Sequence, residues 1–520
     1  MLWLPLNPSQ RLPLTVVITS VLWLLYRRLF RKAPTHPLPP GPAGKFLIGN
    51  AGQLGDEHPE QDYIQWGKEY KSDVIYTSVL GQHMVCLNSV RAATDLLDLR
   101  GANYCDRPRF TLFEVMGWGL TLTFLPWGPQ FKVHRRLFQS RFMQSKIKSF
   151  QSIQVHEARK AVCSLVTDPA SWKEATLLMT TSIIFRVAYG QGVSDQNSPY
   201  FAMAIDANDA TTNGGIAGST LVDIFPPARW LPQWLCPSAP LRHARKSRAA
   251  IQRIHNVPWE SNMQAIDAGT ASTSFMKTHL EKYRAALKSG EPQDLTPADI
   301  KGATCAVFIA GGNSTYGTIL SCMLFLTKYP ALQAQVAAEL DELLLSGNRK
   351  SPRLPTFDDR PALKRLNNFM QETLRCLPLN PLVIPHKSLR EDVYRGQRIP
   401  AGTTVFANTT AMSTDPATYA EPHVFDPSRY DRDEPPPSGN FGFGRRRCPG
   451  SHLALASVYM FLATLLAVFK LEMVLDAEGR PKEPVPGVRV GLGGHPNEFE
   501  SQVVLRNPEM ARLLLVREEW

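Results

Sequence analysis

The cysteines of this chain form no recognisable cluster. There are eight, and no two have the C-x-x-C spacing of a metal or redox pair. No group of histidines accompanies them. Zinc sites need closely spaced Cys and His ligands, and disulfide scaffolds need small Cys-rich chains, so both classes are excluded. The pattern suits a chain that works in a reducing compartment.

The chain also lacks a basic helix interleaved with aromatic residues, although its formal net charge is +11. Nucleic acid is the obvious partner of a basic protein, but the usual signature is missing. We therefore predict no nucleic-acid partner. A membrane surface or an acidic protein partner fits the charge better.

Internal repeats are absent, and no long low-complexity segment follows residue 42. The length of 520 residues alone suggests about three domains. Composition is otherwise ordinary for a globular protein, with 43% hydrophobic residues.

The amino terminus is an apolar run followed by positive charge. Residues 12–26 are almost purely apolar, and Arg or Lys occupies four of positions 27–32. A helix needs about 20 apolar residues to span a bilayer, and the uncharged run is shorter than that. Extending it to Phe30, with the arginines snorkelling, closes the gap. Positive charge after the segment places the following domain in the cytosol. We predict a membrane anchor over residues 1–32; a cleaved signal peptide is the alternative, for which the basic run is a poor cleavage site.

A Pro-rich segment follows the anchor. Prolines fix φ and remove hydrogen-bond donors. Residues 33–44 are therefore predicted to be a stiff, non-helical hinge between the anchor and the rest of the chain.

Most of the remaining pattern is helical, with a small β portion. Residues 73–87 alternate around Gly81-Gln82 and predict a β-hairpin. Thr296 and Asp299 predict the start of a helix that could run to Tyr329. Residues 392–406 return to strand and turn, and residues 453–469 predict an apolar helix. The predicted fold class is mainly α with a small β portion.

One cysteine stands in an unusual loop. Cys448 lies in Phe-Gly-Phe-Gly-Arg-Arg-Arg-Cys-Pro-Gly, which spans residues 441–450. A thiolate is a soft, strongly donating ligand, and on haem iron it favours O–O cleavage. Glycines allow backbone N–H groups near the sulfur, and an aromatic ring excludes water from it. The alternative is a buried structural cysteine in a tight turn.

This loop resembles the Phe-x-x-Gly-x-Arg-x-Cys-x-Gly signature of the cytochrome P-450 superfamily. The matching residues are Phe441, Gly444, Arg446, Cys448 and Gly450. The resemblance implies haem b with Cys448 as the axial ligand of the iron, and Phe441 beside it. It also implies one large catalytic domain over residues 45–520, with the P-450 fold, in place of the three that length suggests.

The resemblance gives a structural role to a charged pair that would otherwise mean little. Glu372 and Arg375 share one helix face at i, i+3. In the family such a pair is completed by an arginine from a downstream Pro-x-Arg segment, here Arg429. The implied cluster holds the loop that contains Cys448, so that haem can load.

The residues implied to bind the haem propionates are Arg135, His386 and Arg446. Phe131 and Arg135 resemble the family's Trp-x-x-x-Arg motif at i, i+4. Phe131 has no indole N–H, so one propionate hydrogen bond is expected to be missing. For His386 the alternative is an ordinary turn histidine.

The middle of the long predicted helix resembles the family's oxygen-binding pattern, Ala-Gly-x-Asp/Glu-Thr-Thr. Here Asn313, Ser314 and Thr315 occupy the last three positions. The family's acid and first Thr deliver protons, whereas an amide can orient water but carries no such proton at neutral pH. This departure puts the usual relay in question. The preceding glycines indicate either a groove for dioxygen or close helix packing.

The substrate wall is implied by the alignment of these motifs. It should include residues 110–123, Ala306 and Ala310, and residues 380–383, with Met116, Trp118, Leu382 and Val383 making it apolar. Each is individually compatible with an ordinary core position.

Residues 394–416 resemble fungal members related to O-methylsterigmatocystin oxidoreductase. The resemblance implies a single-pass protein of the endoplasmic reticulum membrane, with its catalytic domain on the cytosolic face. It would be a monooxygenase of a small lipophilic secondary metabolite, a terpenoid or an aromatic polyketide. Electrons would come from NADPH through NADPH-cytochrome P-450 reductase, with cytochrome b5 as an optional donor. The alternatives are a haem-thiolate isomerase, dehydratase or peroxide-using enzyme, and a haem sensor or electron carrier.

Overall fold

The computed structural model describes residues 35–55, 57–215, 218, 220–232, 234, 238–345, 352–489 and 491–516. The predicted anchor over residues 1–32, the first two residues of the predicted hinge and Cys236 lie outside the described residues.

Helices dominate the described chain. The α-helices are α1 Pro59–Glu69, α2 Val90–Ala93, α3 Thr111–Met116, α4 Pro129–Phe142, α5 Gln151–Thr167, α6 Trp172–Tyr189, α7 Pro199–Thr212, α8 Leu221–Ile224, α9 Ala239–Asp267, α10 Phe275–Lys288, α11 Pro297–Lys328, α12 Pro330–Leu344, α13 Lys364–Cys376, α14 Thr409–Ser413, α15 Ser451–Val468 and α16 Pro508–Val516. Short 3-10 or π segments lie at Thr94–Leu99, Gln144–Phe150, Pro169–Ser171, Pro226–Trp230, Phe357–Asp359, Pro427–Arg432 and Gly444–Arg446.

The β portion is small and split into several sheets. Its strands are β1 Val74–Val79, β2 Gln82–Leu87, β3 His386–Lys387, β4 Asp392–Tyr394, β5 Gln397–Ile399, β6 Thr404–Ala407, β7 Phe469–Glu472, β8 Val488–Arg489, β9 His495–Pro496 and β10 Gln502–Leu505. One sheet has the order β1-β2-β6-β3, and the pairs β4-β5, β7-β10 and β8-β9 stand apart. The mainly α fold class with a small β portion is confirmed.

The predicted hairpin is β1 and β2. Its turn residues are Leu80 and Gly81, one position earlier than the predicted Gly81-Gln82, because Gln82 already pairs with Val79 as the first residue of β2. Both turn residues have positive φ, 49° and 81°, as a type I′ turn requires. Val79 and Gln82 pair directly across it. β2 then pairs in parallel with β6, and β6 pairs with β3, which carries His386.

The long helix α11 begins where its capping residues predict. The Thr296 hydroxyl accepts the Asp299 backbone N–H at 3.2 Å, and Asp299 accepts the Thr296 N–H at 3.0 Å. This reciprocal box satisfies two N–H groups that the helix leaves unpaired. The helix ends at Lys328, and Pro330 opens α12. Most of α11 is buried, so it crosses the interior and places its middle turns beside the site described below.

The apolar helix predicted over residues 453–469 is α15. It is the one helix of the described chain that is long and apolar enough to cross a membrane, but 83% of that window is buried inside the protein. It packs with the second half of α11 in the largest apolar cluster. We therefore assign α15 to the core, directly behind the loop that contains Cys448.

The described part of the Pro-rich segment is docked on the sheets. The Tyr76 N–H of β1 donates to the Pro40 carbonyl at 2.8 Å, and the Arg398 N–H of β5 donates to the Pro37 carbonyl at 2.7 Å. A Cβ on Gly41 would lie 1.9 Å from the Tyr76 carbonyl oxygen, so only glycine fits there. From residue 37 onward the predicted hinge is thus part of the folded body.

Candidate active site

A cavity of about 320 Å³ lies between α11, α4 and the loop that precedes α15. We call residues 439–450 the cysteine loop. Cys448 lines the cavity from this loop, and Ala306 and Ala310 line it from α11. The wall is mainly apolar, and no Asp or Glu is found among the described residues that line it.

The backbone of the cysteine loop folds back on itself. The Cys448 N–H donates to the Phe441 carbonyl at 2.8 Å, and the Gly442 N–H donates to the Gly439 carbonyl at 2.8 Å. Gly444 has a φ of 53°, and a Cβ there would lie 2.0 Å from the Leu97 carbonyl oxygen. This contact explains physically why the fourth position of the signature is glycine.

The Cys448 side chain is exposed and lines the cavity. Burial raises the pKa of the Cys448 thiol, while the N–H groups of Gly450 and Ser451 and the charges of Arg135 and Arg447 lower it. A metal cation would complete the deprotonation, since the thiolate is the form that binds metal.

Arg446 is buried against Phe131. Its Nε donates to the Cys105 carbonyl at 2.7 Å and its Nη1 to the Leu125 carbonyl at 2.9 Å. The guanidinium carbon lies 3.7 Å from the centre of the Phe131 ring. Burial lowers the pKa of Arg446 to about 10. Phe131 therefore makes a cation–π contact with Arg446, a role that its comparison with tryptophan did not predict.

His386 is buried with one ring nitrogen engaged. Its Nδ1 lies 2.7 Å from the Tyr104 carbonyl oxygen and must donate, because a carbonyl only accepts. Burial, and next the charge of Arg107, lower the pKa of His386 to about 3, so the ring is neutral and Nε2 carries no proton. A carboxylate placed at Nε2 would raise that pKa and allow a second donated bond.

Arg107 belongs to the same end of the cavity and was missed in the sequence. Its side chain is buried, and its Nη1 donates to the Ile384 and Pro385 carbonyls at 2.5 and 2.7 Å. It lines the cavity together with Arg135 and Arg446. A single arginine before a proline gives no periodic signal, so only the tertiary structure reveals it.

This end of the cavity fits the carboxylates of haem. Polar atoms without a partner include Arg107 Nε, His386 Nε2, Asn440 Nδ2 and Arg446 Nη2, all on residues of the cavity wall. Buried polar groups are normally satisfied. Arginines whose donors are left over, with no acid in the described wall, suit an anionic group. The donor set and the cysteine thus fit a haem.

Asn313, Ser314 and Thr315 all line the cavity from α11. The Ser314 hydroxyl donates to the Ala310 carbonyl at 2.8 Å, and the Thr315 hydroxyl donates to the Gly311 carbonyl at 2.7 Å. The Asn313 Nδ2 donates to the Gly493 carbonyl at 3.3 Å. In this arrangement the hydroxyl oxygens are free to accept hydrogen bonds, while their protons stay within the helix.

The neighbouring glycines serve helix packing. A Cβ on Gly311 would lie 2.5 Å from the Ile184 Cδ1 of α6, and a Cβ on Gly312 would lie 3.5 Å from Ile184 Cγ2. Gly311 therefore lets α6 and α11 approach closely, the second of the two interpretations made from the sequence.

Glu372, Arg375 and Arg429 meet in the interior. Their side chains are at most 1% exposed. Arg375 donates to both Glu372 oxygens, at 2.9 and 2.7 Å, and Arg429 Nε donates to both at 3.1 Å. Burial alone would lower the pKa of Arg375, but its hydrogen bonds to Glu372 raise it above the usual range. Glu372 and Arg375 therefore form a buried pair and not a surface pair.

The same cluster ties α13 to the chain that leads into the cysteine loop. Arg375 Nη1 donates to the Ser413 and Pro422 carbonyls, both at 2.7 Å. The Asp426 backbone N–H donates to Glu372 at 2.9 Å. These bonds fix a segment that is otherwise largely loop.

The apolar wall agrees in part with its sequence prediction. Trp118, Thr121, Leu122 and Thr123 line the cavity, as do Ala306, Ala310, Asn380 and Val383. Met116 and Leu382 do not line it and lie in the hydrophobic core.

The comparisons with known proteins agree with this geometry. The family model for cytochrome P450 matches residues 39–500. A cytochrome P450 monooxygenase of Armillaria gallica is 32% identical, with 96% of this chain and 98% of the relative aligned. Tryptamine 4-monooxygenase of Psilocybe cyanescens is 31% identical, over 94% of this chain and 97% of the relative. A zebra fish cytochrome P450 solved with progesterone has a TM-score of 0.71 at 23% identity, covering 86% of this chain and 99% of that one.

The fold and the site define a haem-thiolate protein. The chain belongs to the cytochrome P450 family. It is an oxidoreductase that incorporates oxygen, a monooxygenase like its fungal relatives.

Proposed function

We propose that this monooxygenase oxidises a small lipophilic secondary metabolite, a terpenoid or an aromatic polyketide, with NADPH-derived electrons supplied by a flavoprotein reductase. The observation that supports this proposal is the mainly apolar cavity with Cys448 in its wall. Apolar cavities with few polar groups take lipophilic ligands. The residues proposed to hold the haem are Cys448 at the iron, Arg135, His386 and Arg446 at the propionates, and Phe131 and Phe441 beside them, with Arg107 added from the structure.

Haem held by a cysteine thiolate supplies the activation of dioxygen. The chain supplies the rest. Its apolar wall excludes water and positions the substrate, and its buried cations neutralise the propionates. In this proposal the hydroxyl oxygens of Ser314 and Thr315, whose protons are donated to helix carbonyls, accept hydrogen bonds from water that carries protons.

The test is turnover with purified reductase, NADPH and a panel of terpenoids and aromatic polyketides. We expect substrate-dependent oxygen and NADPH consumption and a product that carries one oxygen atom from dioxygen. A haem sensor or electron carrier would show no substrate-induced spin shift. Isomerisation without NADPH, together with no oxygen consumption, would replace the monooxygenase by a rearrangement enzyme. Asn313, in place of the family's acid, is the observation that favours that second candidate.

Proton supply gives a first prediction. Because Asn313 cannot carry an acid's proton, we expect the wild type to divert NADPH to peroxide, and Asn313→Asp to raise the product formed per NADPH roughly severalfold. The Asp oxygens would face the Gly493 carbonyl that Asn313 now satisfies, at a cost of about 1–3 kcal/mol. A lower unfolding temperature should therefore accompany the better coupling.

Ser314→Ala is the companion variant. If Ser314 holds the water, its loss lowers the product per NADPH; if the substrate donates the proton, removing a substrate hydroxyl has the larger effect. Unchanged coupling in Asn313→Asp would contradict the role given to position 313.

The reductase is proposed to dock on a basic face formed by Lys132, Arg136, Arg445 and Arg447, all exposed. Lys132 and Arg445 flank the Trp127 ring at 5.5 and 5.3 Å. Charge complementarity mainly raises association rates and is screened by salt. Lys132→Glu with Arg445→Glu should slow reductase-driven turnover about tenfold at low salt, and less at high salt. Peroxide-driven turnover is the control, and an equal loss in both assays would indicate a folding defect.

We also propose a single-pass location in the endoplasmic reticulum membrane, with the catalytic domain in the cytosol. Deletion of residues 1–32 should release most of the protein from membranes and leave its carbon-monoxide spectrum intact. The matched control is deletion of residues 1–42, which also removes the Pro37 and Pro40 contacts and should lower the unfolding temperature. Loss of haem on deletion of residues 1–32 would refute the division of the chain into a membrane anchor, a hinge over residues 33–44 and a catalytic domain.

A further inference from the structure

Two more residues of the cavity wall, Trp118 and Thr121, have a polar side-chain atom without a partner among the described residues. Trp118 is 1% exposed and Thr121 is 4% exposed, and both line the cavity. Neither the Trp118 indole Nε1 nor the Thr121 hydroxyl has a hydrogen-bond partner among the described residues. A buried donor without a partner is costly, so such groups usually meet a ligand or water.

The backbone that carries Trp118 is fixed. Gly117, with a φ of 111°, ends α3 in the left-handed region. The Trp118 N–H donates to the Phe113 carbonyl at 2.9 Å. The indole ring lies 5.2 Å from the His255 ring of α9. The backbone of Trp118 is thus fixed, and its indole ring packs against His255.

Thr121 is fixed in the same way. Its carbonyl accepts the Phe124 and Leu125 N–H groups at 2.9 and 3.1 Å. The adjoining Leu120 carbonyl packs on α11, where a Cβ on Gly302 would lie 2.3 Å from it. Gly302 precedes Asn313 by eleven residues, or about 16 Å of helix. The Trp118–Thr121 segment therefore contacts α11 far from the Asn313 position.

The charge of the wall restricts what these two groups can bind. The described lining residues include three arginines, Arg107, Arg135 and Arg446, and no carboxylate. A buried ammonium would find no partner of opposite charge in this wall. The indole N–H can only donate, so its ligand must present an acceptor.

We propose that Trp118 and Thr121 form a hydrogen-bonding pole that binds an acceptor oxygen of a neutral substrate, a ketone above all, and that the cavity rejects protonated amines. This inference rests on the proposed function and specifies its substrate class. The tryptamine specificity that one relative's name states is not expected here.

The experiment measures equilibrium binding of three probes on one tricyclic frame to the haem-replete protein. They are fluorenone, fluorene and 2-aminomethylfluorene, which is a cation at pH 7. We expect fluorenone to bind roughly tenfold more tightly than the amine. Thr121→Val and Trp118→Phe should each lower the ratio of fluorenone to fluorene affinity about fivefold.

The matched control is Thr176→Val, whose hydroxyl donates to the Trp172 carbonyl at 2.7 Å and does not line the cavity. It should leave the ratio unchanged. An unchanged ratio in both wall variants, an amine that binds as tightly as the ketone, or no binding of the ketone overturns the inference. NADPH-dependent oxygenation on the same preparations separates the two proposals, because its retention leaves the proposed function standing when the binding preference fails.

Discussion

Cys448→Ala is expected to lose the red-shifted Soret band of the reduced carbon-monoxide complex and to reduce oxygenation to background. The thiolate is the strongly donating ligand on which both properties depend. Cys448 is a cysteine that lines the described cavity, and the loop backbone and the Gly450 and Ser451 N–H groups are arranged around its sulfur. The spectrum and the haem content of the purified variant measure the effect.

The control is Cys86→Ala. Cys86 is fully buried, lies in β2 and does not line the cavity. It should retain the spectrum, with at most a small loss of stability. A Cys448→Ala protein with an unchanged band would refute the assignment of the axial ligand, and the fold alone would then remain.

The structural features that could be predicted well from the sequence are those formed by residues close together in the chain. The hairpin and the capping box of Thr296 and Asp299 depend on a few adjacent residues. Both form, although the hairpin turns at Leu80-Gly81, one position before the predicted Gly81-Gln82. The cysteine loop is local in its own backbone hydrogen bond, from the Cys448 N–H to the Phe441 carbonyl. Its Gly444, in contrast, is required by the carbonyl of Leu97, which is distant in the sequence.

Features that depend on distant contacts could not be read in this way. Arg107 reaches the cavity through the carbonyls of Ile384 and Pro385, more than 270 positions away. The neutral state of His386 follows from its burial and its charged neighbours. The contact of Phe131 with Arg446 replaces a lost tryptophan donor by an interaction that only the tertiary structure provides.

The predicted hinge shows the same limit. Its prolines predict a non-helical segment, but the pattern contains no sign that residues 37–42 dock on β1 and β5. Backbone hydrogen bonds of this kind leave no trace in side-chain composition, except at Gly41, where close approach requires glycine.

The buried cluster at Glu372 gives the second large effect. Arg375→Ala leaves the Glu372 carboxylate with fewer partners in the interior, and Glu372→Ala leaves Arg375 and Arg429 without their anion. Removing one member of a buried pair costs about 3–5 kcal/mol. Arg375→Ala also releases the Ser413, Pro422 and Val424 carbonyls. We expect both variants to be made but to contain little haem, and to unfold at much lower temperature.

Arg480→Ala is the matched control for this cluster. Arg480 pairs with Asp476 at 3.0 Å but its side chain is 72% exposed, and such surface pairs contribute at most about 1 kcal/mol. Haem content per protein and unfolding temperature should be almost unchanged in it. If Arg375→Ala behaved like Arg480→Ala, stable and loaded with haem, the cluster would not hold the cysteine loop. Low haem content at an unchanged unfolding temperature would show instead that the cluster acts on the loop locally, through the segment that it ties to α13, and contributes little to the stability of the whole fold.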